Sequence, residues 1–184
     1  MSLYMAIVHY PCANRRGAIV NTSITNFDIH DMGRSARTYD VERVYLVNAV
    51  PSQQWFAKRV IRHWTHGAGA DYNHTRKESM NLVEVADDLS QVNQIITESC
   101  GHPPVFIGTS AREYPNSISY ADMRDKIEHE DGSWCLVFGT GWGLHPEIME
   151  EMDYILEPIR GYSDYNHLSV RGAAAIILDR LRGR

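Results

Sequence analysis

The segment Trp134-Cys135-Leu136-Val137-Phe138-Gly139-Thr140-Gly141-Trp142-Gly143-Leu144 decides the fold of this chain. Its first five residues are apolar, a pattern that predicts a buried β-strand. Glycines follow at 139, 141 and 143, where the strand ends and the backbone must turn tightly with no Cβ in the way. Such a turn exposes main-chain N–H and C=O groups, and we interpret it as one wall of a ligand site.

A second polar segment, Tyr165-Asn166-His167-Leu168-Ser169, stands directly before a run of small and apolar residues. That run, residues 170–181, has the spacing of a helix, and its small residues permit close backbone approach. The hydrogen-bonding side chains therefore fall at a helix start. We expect a strand end and a helix start to meet around one ligand.

Length and composition favour a single α/β domain over residues 1–184. The chain has 184 residues, of which 43% are hydrophobic, and this size suits one domain with a full core. Its formal charge of −5 argues against a polybasic nucleic-acid binder but leaves room for a local cationic face.

Cysteine usage and hydropathy restrict the class of protein further. Cys12, Cys100 and Cys135 form no C-x-x-C pair, so we expect reduced thiols rather than disulfides or a cysteine-bound zinc. The sequence shows neither a signal peptide nor a run of about 18 consecutive apolar residues. We therefore expect a cytoplasmic protein without a membrane segment.

Short β-branched or aromatic runs alternate with longer amphipathic ones along the chain. This order predicts an α/β fold with a mostly parallel sheet covered by helices on both faces. In such sheets ligands bind at the carboxyl ends of the strands, where we place the loops at 109–110, 139–144 and 158–161. The predicted strands are 4–9, 43–47, 82–85, 105–107, 135–138 and 154–156, and the predicted helices are 26–39, 53–66, 88–99, 119–130 and 169–181.

A dinucleotide site is the plainest alternative for the glycine turn. Glu157 follows Gly139 at about the spacing at which a Rossmann acid meets a ribose. Two features weaken this interpretation: few residues remain after Gly143, and Pro146 delays the helix whose N-terminus would hold the phosphates. A turn that needs glycine only for a tight strand exit is a second alternative.

Three segments together resemble the SPOUT superfamily of S-adenosylmethionine-dependent RNA methyltransferases, and the resemblance covers nearly the whole chain. Residues 28–39 are similar to its first SpoU motif, residues 138–144 to the second and residues 165–181 to the third. The resemblance implies a C-terminal trefoil knot within the α/β fold, S-adenosylmethionine as cofactor, and tRNA or rRNA as substrate. It also implies a homodimer in which each active site borrows residues from the other subunit.

The resemblance further implies that backbone groups of three loops hold the adenine of a bent cofactor. Fixed main-chain donors and acceptors suit an adenine edge because they lose little entropy on binding. The residues that correspond to these loops are Thr109, Ser110, Phe138, Gly139, Thr140, Gly141, Gly143, Leu144, Glu157, Pro158, Ile159, Gly161, Asn166, His167 and Leu168.

Four side chains correspond to positions of the SpoU motifs near the reacting groups. Arg34 matches the arginine of the first motif, which implies a role at the target nucleotide, and Asp28 stands where asparagine is usual. Ser169 matches the serine of the third motif, and His167 takes the place of its asparagine. A histidine can accept a proton near neutral pH, or it can hydrogen-bond the cofactor. The alternative role for Asp28 is that of a helix N-cap.

Departures from the motifs keep a non-catalytic function open. The glutamate of the second motif is replaced within residues 140–142, and the asparagine of the third motif by His167. A knotted protein that only binds cofactor or RNA is therefore the main alternative, and a nicotinamide-dependent enzyme is a minor one. The sequence specifies neither the RNA and its nucleotide nor a base or ribose acceptor atom.

Histidines and cations between residues 62 and 77 suggest two further interpretations. His63 and His66 share a helix face upstream of His74, but no carboxylate or thiol completes a ligand set, so we predict no metal. The basic and aromatic residues around them suit RNA phosphates and a stacked base better. Alternatively, Trp64 lies in the core and the charges are solvated.

Overall fold

A computed structural model describes residues 2–184. The strands are β1 (Ser2–Val8), β2 (Cys12–Ala13), β3 (Ile19–Val20), β4 (Arg43–Val47), β5 (Val83–Ala86), β6 (Val105–Gly108), β7 (Ser117–Ile118), β8 (Ser133–Gly139) and β9 (Tyr154–Leu156). The helices are α1 (Asn26–Thr38), α2 (Pro51–Thr65), α3 (Ala68–Tyr72), α4 (His74–Met80), α5 (Leu89–Cys100), α6 (Tyr120–His129), α7 (Pro146–Glu150) and α8 (Val170–Arg182).

Seven strands form a parallel sheet in the order β5-β4-β1-β8-β6-β9-β7. The two central strands, β1 and β8, are almost entirely buried because helices cover both faces of the sheet. Continuous apolar runs such as 134–138 are typical of strands in this position. The predicted α/β fold with a parallel sheet is confirmed, and every predicted strand lies in that sheet.

The helices divide between the two faces of the sheet. Side chains from α1, α2, α6 and α8 form one hydrophobic cluster with one face of the central strands. Side chains from α5 and α7 form a second cluster on the opposite face. Because side chains alternate along a strand, Met5 and Ile7 belong to the first cluster and Ala6 and Val8 to the second.

The start of α1 corrects one interpretation made from the sequence. Thr25 is the N-cap: its hydroxyl accepts from the Asp28 N–H, and the Asp28 carboxylate accepts from the Thr25 N–H at 3.0 Å. Asp28 is therefore the N3 residue of a capping box, the third residue of the helix, and not the N-cap. Ser169 caps α8 in the ordinary way, since its hydroxyl accepts from the Gly172 N–H at 3.3 Å.

Six short elements were not predicted. They are the antiparallel hairpin of β2 and β3, strand β7, and helices α3, α4 and α7, none longer than seven residues. A two-residue strand, or a helix of five to seven residues, contains too few residues to show its period.

Two expectations about chain organisation stay predictions. Strand pairing does not describe how the chain is threaded, so the C-terminal trefoil knot is one of them. The single domain over residues 1–184 is the other. Within residues 2–184, no helix is both long enough and apolar enough to cross a membrane.

Candidate active site

A cavity of about 960 Å³ opens at the carboxyl ends of β1, β6, β8 and β9. Its size is that of small-molecule and cofactor sites. The walls come from four parts of the chain, within residues 9–28, 109–120, 138–143 and 156–177. The cavity therefore lies where parallel α/β sheets bind their ligands.

Most of the predicted site residues line this cavity. Asp28, His167 and Ser169 of the predicted catalytic set are among them. The cofactor-set residues that line the cavity are Thr109, Ser110, Phe138, Gly139, Thr140, Gly141, Gly143, Glu157, Ile159, Asn166, His167 and Leu168. Segments that are far apart in sequence thus meet as expected, whereas their contact with a ligand stays a prediction.

Four predicted residues lie outside the cavity lining. Leu144 is buried beneath the glycine turn, where it forms a β-bridge with Cys12. Arg34 is exposed in the middle of α1, away from the cavity-lining start of that helix. Pro158 and Gly161 belong to the loop after β9 but do not line the cavity. A direct role of these four residues at a ligand has no support from their positions in a single copy of the chain.

The glycine turn after β8 has a backbone path that larger residues would disturb. A Cβ on Gly139 would lie 2.3 Å from the Leu144 nitrogen and 2.7 Å from the Gly143 carbonyl carbon. Gly141 and Gly143 have φ values of +63° and +102°, a region that favours glycine. The sequence pattern therefore reflects a turn that folds back tightly on itself.

Hydrogen bonds to the β2–β3 hairpin hold this turn in place. The Trp142 N–H donates to the Ala13 carbonyl at 3.2 Å, and the Ala13 N–H donates to the Gly143 carbonyl at 3.0 Å. A third bond, from the Gly143 N–H to the Thr140 carbonyl at 3.0 Å, closes the turn itself. The turn is thus ordered by the protein, so a ligand does not have to order it on binding.

Two buried and two half-buried polar side chains line one part of the cavity. We call the buried His9 and Asp28 and the half-buried Thr22 and Thr140 the cavity floor. The Nδ1 atom of His9 lies 3.0 Å from the Thr22 hydroxyl, which is hydrogen-bonded to the Thr140 hydroxyl. The Thr140 hydroxyl also donates to the Val8 carbonyl at 3.0 Å. This network connects the end of β1, the segment before α1 and the end of β8.

His9 has one nitrogen that the protein leaves unpaired. The side chain is 1% exposed, and its Nε2 has no hydrogen-bond partner within residues 2–184. Burial lowers the pKa of His9 below its ordinary value, and the Asp28 carboxylate partly opposes this shift. The imidazole is therefore neutral near pH 7. An unpaired polar atom at this depth costs free energy unless a ligand pairs with it.

Asp28 combines a structural role with a position at the cavity. Its Oδ2 accepts from the Thr25 N–H at 3.0 Å and from the Thr25 hydroxyl at 2.7 Å. The residue is 6% exposed and lines the cavity. Capping and contact with a ligand are therefore compatible in this one carboxylate.

Exposed side chains surround the opening; we call Phe27, Trp142, Tyr165, His167 and Leu168 the cavity rim. Phe27 is 64% exposed and Tyr165 is 72% exposed. The His167 ring packs edge-on against Tyr165, with ring centroids 5.5 Å apart. Aromatic and apolar groups this exposed are suited to a nucleobase or to the surface of another protein.

Two contacts connect the rim with the rest of the molecule. The Asn166 side-chain amide donates to the Ala111 carbonyl at 2.7 Å, which joins the loop after β6 to the segment before α8. The Arg171 guanidinium lies 3.2 Å from the Asp31 carboxylate and 5.1 Å from the centre of the Phe27 ring. The start of α8 is thereby attached to α1.

Glu157 is already engaged at the start of another helix. Its Oε1 accepts from the Tyr120 N–H at 3.1 Å and so satisfies a donor in the first turn of α6. The ribose contact considered for a dinucleotide would compete with this bond.

Sequence reasoning gave no site role to His9, Thr22 and Phe27, which also line the cavity; Arg171 lines it too and lies within the third motif segment at 165–181. A signal existed for His9, because it ends the first predicted strand, and strand ends of a parallel sheet face the ligand. Thr22 and Phe27 flank the start of α1, and no local pattern distinguishes them. Only the assembled fold brings them to the site.

The exposed face of α2 concentrates positive charge. Residues 51–77 hold five Lys or Arg and one Asp, a formal charge of +4 that leaves −9 for the rest of a chain with −5. Lys58, Arg59 and Arg62 are exposed, and the Arg59 guanidinium lies 5.4 Å from the centre of the Trp55 ring. Trp55 is itself 63% exposed. We call Trp55, Lys58, Arg59 and Arg62 the basic surface.

Trp64 is not the exposed aromatic residue of this region. Its ring is half-buried, with the Arg76 guanidinium 4.5 Å from the ring centre and the His30 and His63 rings edge-on at 5.6 and 4.9 Å. Trp55 lies nine residues closer to the start of α2, and its exposed ring can stack on a base. Within residues 2–184, no three His, Cys, Asp or Glu side chains are grouped to hold a metal ion.

The chemistry of the cavity fits S-adenosylmethionine. The ordered glycine turn and the hydroxyls of Thr109 and Ser110 offer neutral hydrogen-bonding groups for a nucleoside. The Asp28 carboxylate supplies negative charge that favours a sulfonium. The helix that follows the glycine turn, α7, begins at Pro146 and has only five residues, so it offers a poor N-terminus for a pyrophosphate.

Over residues 2–183 the sequence matches the family of SAM-dependent RNA methyltransferases, and the chain belongs to this family. The expected enzyme class, its S-adenosylmethionine cofactor and RNA as its kind of substrate are thereby confirmed.

Two relatives match nearly the whole of this chain. An uncharacterized protein of Aquifex aeolicus is 43% identical over 183 residues, which cover 100% of this chain and 89% of that protein. A tRNA (guanine-N(1)-)-methyltransferase of Nitratidesulfovibrio vulgaris is 42% identical over 182 residues. The second match covers 99% of this chain but 42% of that protein, so the chain spans less than half of that relative's length.

The fold is similar to that of the TrmH/SpoU tRNA modifying enzyme of A. aeolicus. The TM-score is 0.56 at 17% identity, and the match covers 98% of this chain and 73% of the solved one. At this identity the likeness establishes the fold alone.

Proposed function

We propose that this protein methylates a nucleotide of tRNA or rRNA in the cavity at the strand ends. The observation that carries the proposal is the meeting of the glycine turn, the segment before α8 and the cavity floor around a single space of about 960 Å³. Such an activity places the protein in the cytoplasm, together with its RNA.

The proposal assigns the cofactor to the loops that line the cavity. Thr109, Ser110, the turn at 138–143 and the segment 157–168 hold the adenosine, with Phe138 and Ile159 providing apolar contact. When bound, S-adenosylmethionine supplies a methyl group on a positively charged sulfur, which departs as a neutral thioether with the electrons of the broken C–S bond. Asp28 stabilises that positive charge before transfer.

The proposed role of Arg34 needs a second copy of the chain. Arg34 is exposed on α1 and does not line the cavity of its own subunit. In a homodimer, α1 and α8 of one subunit would pack against α1 and α8 of the other. This arrangement would bring Arg34 to the target nucleotide in the site of the partner. The apolar residues Ala173, Ala175 and Ile176 support this arrangement, because they are only half-buried in a single copy.

The dimer is tested by measuring molar mass in solution. We expect the wild-type chain to have twice the mass of one subunit and Ile176→Glu to dissociate it. Ile19→Glu is the matched control, since Ile19 is an exposed isoleucine in the β2–β3 hairpin. A wild-type chain that is monomeric at high concentration contradicts the dimer and the role of Arg34 together.

Transfer RNA is the first substrate to test. The N. vulgaris relative is by name a tRNA methyltransferase that acts on guanine N1. That protein is more than twice as long as the matched segment, so methylation of guanine N1 in tRNA is for this chain a proposal. The test compares methyl transfer to tRNA with methyl transfer to ribosomal RNA.

The basic surface supplies the electrostatic part of RNA binding in this proposal. It begins beside the cavity, since the Gln53 side chain of α2 accepts from the Ile24 N–H at 2.7 Å, next to Thr22 and Thr25 in the cavity wall. Exposed cations bind phosphates, and an exposed tryptophan can stack on an unpaired base.

Neutralising two cations tests this surface. We expect Lys58→Gln combined with Arg59→Gln to weaken RNA binding at low salt and to reduce the salt slope of the logarithm of affinity by about 2. The control removes Arg124 and Lys126 on α6, which are paired with Glu128 and Glu130. An equal loss of affinity in both variants contradicts a specific docking surface.

Thermal melting with S-adenosylmethionine, S-adenosylhomocysteine and NAD tests the site. A ligand present at about 100 times its dissociation constant adds about 2.7 kcal/mol to the free energy of unfolding. We expect stabilisation by the first two ligands and transfer of labelled methyl to tRNA or rRNA from cells that lack this protein. Stabilisation by NAD alone overturns the proposal. Cofactor binding without transfer to any cellular RNA favours the non-catalytic alternative.

A further inference from the structure

We propose that His9 is the general base of the methyl transfer, with Nε2 as the atom that takes up the proton of the acceptor nucleotide. This assignment rests on the proposed function and adds a catalytic residue outside the three motif segments at 28–39, 138–144 and 165–181. Its support is the position of His9, the direction of its hydrogen bonds and the charge that faces it.

The backbone holds His9 rigidly at the cavity. The residue directly follows β1, one of the two central strands of the sheet, and lines the cavity. Its N–H donates to the Val47 carbonyl and its carbonyl accepts from the Thr22 N–H, both at 2.9 Å. A side chain on a strand end fixed from both sides keeps its place during a reaction, as preorganised catalysis requires.

Hydrogen-bond directions in the cavity floor place the imidazole proton on Nδ1. The Thr140 hydroxyl gives its proton to the Val8 carbonyl, so it accepts from the Thr22 hydroxyl. Thr22 directs its own proton to the Thr140 hydroxyl or to the His9 carbonyl 3.3 Å away, so in either arrangement it accepts from Nδ1–H of His9. We infer from this order that Nε2 carries a free lone pair.

The electrostatic surroundings suit a base that works near neutral pH. Burial favours the neutral imidazole before the reaction, and Asp28 on α1 is the charged group whose field favours the protonated form. The Thr22 hydroxyl, which contacts Nδ1 of His9, and the Thr140 hydroxyl bonded to Thr22 are both uncharged. His9 can thus accept a proton and be stabilised as a cation by Asp28.

His167 is less suited to this task. It is exposed at the cavity rim, and its ring contacts the exposed Tyr165. No described hydrogen bond fixes its ring, whereas Nδ1 of His9 is held by Thr22. A base must lie at hydrogen-bond distance from one particular proton, so the fixed and buried imidazole is the better candidate.

The proposed step balances in atoms and charge. A lone pair of the nucleotide's acceptor atom forms the bond to the methyl carbon, and the proton of that atom passes to Nε2 of His9. The C–S bonding electrons stay on sulfur. The imidazolium formed next to Asp28 later releases its proton to water, which restores the neutral base.

Two substitutions at position 9 separate a base from a mere hydrogen-bonding group. His9→Asn keeps an amide near Nδ1 for the Thr22 contact but has no counterpart of Nε2. His9→Gln can place an amide oxygen near Nε2, which accepts a hydrogen bond but not a proton at neutral pH. We expect both variants to bind S-adenosylmethionine like the wild type and to lose about 10²–10⁴-fold in transfer rate.

Controls and alternative results keep the test decisive. His102→Asn, at an exposed loop histidine, should leave transfer unchanged. Full activity of His9→Gln overturns the base and leaves only a hydrogen-bonding role, and loss of cofactor affinity in step with activity also overturns it. A loss in His167→Asn that exceeds the loss in His9→Asn assigns the base to the rim instead.

Nuclear magnetic resonance of the imidazole nitrogens gives a readout that does not depend on activity. In the ligand-free protein we expect the proton on Nδ1 and a His9 pKa below its ordinary value. Thr22→Val should remove that tautomer preference and slow transfer with little change in cofactor affinity. A proton found on Nε2 overturns the proposal. Absence of transfer by the wild type, with the tautomer as expected, refutes the proposed function and with it the base role.

Discussion

The floor and the rim of the cavity are built in opposite ways. The floor residues His9, Thr22 and Thr140 are connected by hydrogen bonds across three distant parts of the chain. The rim residues Phe27 and Tyr165 are exposed, with more than half of each side chain open to solvent. One region is fixed by the protein, and the other is left with surface that a binding partner can cover.

The difference indicates a division of tasks between chemistry and recognition. A fixed floor holds a reacting group at one position, which is where preorganisation contributes most to rate. An exposed aromatic rim gains stability when a base or a second subunit covers it. We therefore expect floor substitutions to change stability and transfer, and rim substitutions to change affinity for RNA or for the partner.

The largest effect should come from Gly139, whose turn closes over the floor. Gly139→Ala places a Cβ 2.3 Å from the Leu144 nitrogen, so the backbone has to move. We expect a loss of about 3 kcal/mol or more in the free energy of unfolding, and loss of cofactor binding. Chemical denaturation measures the change in the free energy of unfolding. Gly132→Ala is the control, because its Cβ would meet its nearest atom at 3.8 Å.

Thr140→Val tests whether the floor behaves as a single network. Valine has nearly the same shape but cannot accept from Thr22 or donate to the Val8 carbonyl. We expect the free energy of unfolding to fall by about 1–3 kcal/mol, since buried partners lose their bonds. Thr38→Val, at an exposed site on α1, should have little effect. Equal stability of the two variants would show that the floor is not coupled.

A smaller effect is expected from pH. The pKa values of His9 and His30 are lowered in the folded protein, chiefly by burial. Below the ordinary value of 6.5 the unfolded chain therefore binds protons that the folded chain does not. The free energy of unfolding should rise as pH increases from these lowered pKa values to about 6.5. His9→Asn should reduce this slope, and an unchanged slope would contradict a buried neutral His9.

The smallest effect on stability should come from Arg171, which contacts the rim residue Phe27. Arg171→Gln removes the ion pair with Asp31 and the contact with Phe27, both partly exposed. We expect a loss of about 0.2–1 kcal/mol in the free energy of unfolding, which is usual for exposed pairs. If the floor serves stability and the rim serves recognition, Arg171→Gln lowers the affinity for RNA or for the second subunit by a larger factor than it lowers the stability of the fold.

The sheet and its long helices could be predicted because their patterns are local. The apolar run before Gly139 and the helical spacing after Ser169 each indicate one element without reference to the rest of the chain. The hairpin at residues 12–20 could not be predicted in the same way. Its two-residue strands depend on bonds to the glycine turn, which no neighbouring residue reveals.

The candidate site was predictable in its loops and less so in its floor. The loops at 109–110 and 139–143 could be located because strand ends of a parallel sheet share one edge. The floor depends on contacts such as the one between Thr22 and Thr140, which are 118 positions apart. The sequence indicated that Asp28 takes part in capping α1 but not that it is the N3 residue. The reason is that the Thr25 and Asp28 side chains each accept a hydrogen bond from the other residue's backbone N–H.

The uneven charge of the chain has a consequence for how it meets its substrate. With +4 in residues 51–77 and −9 in the remaining residues, positive charge is concentrated in the segment that includes α2, in a chain that is otherwise net negative. A polyanion that approaches exerts a torque on it and turns α2 toward itself while the two are still apart. Dissolved salt weakens this field over a distance of about 10 Å, so the association rate constant falls as ionic strength rises. RNA and protein are thereby steered into a favourable relative orientation before they touch.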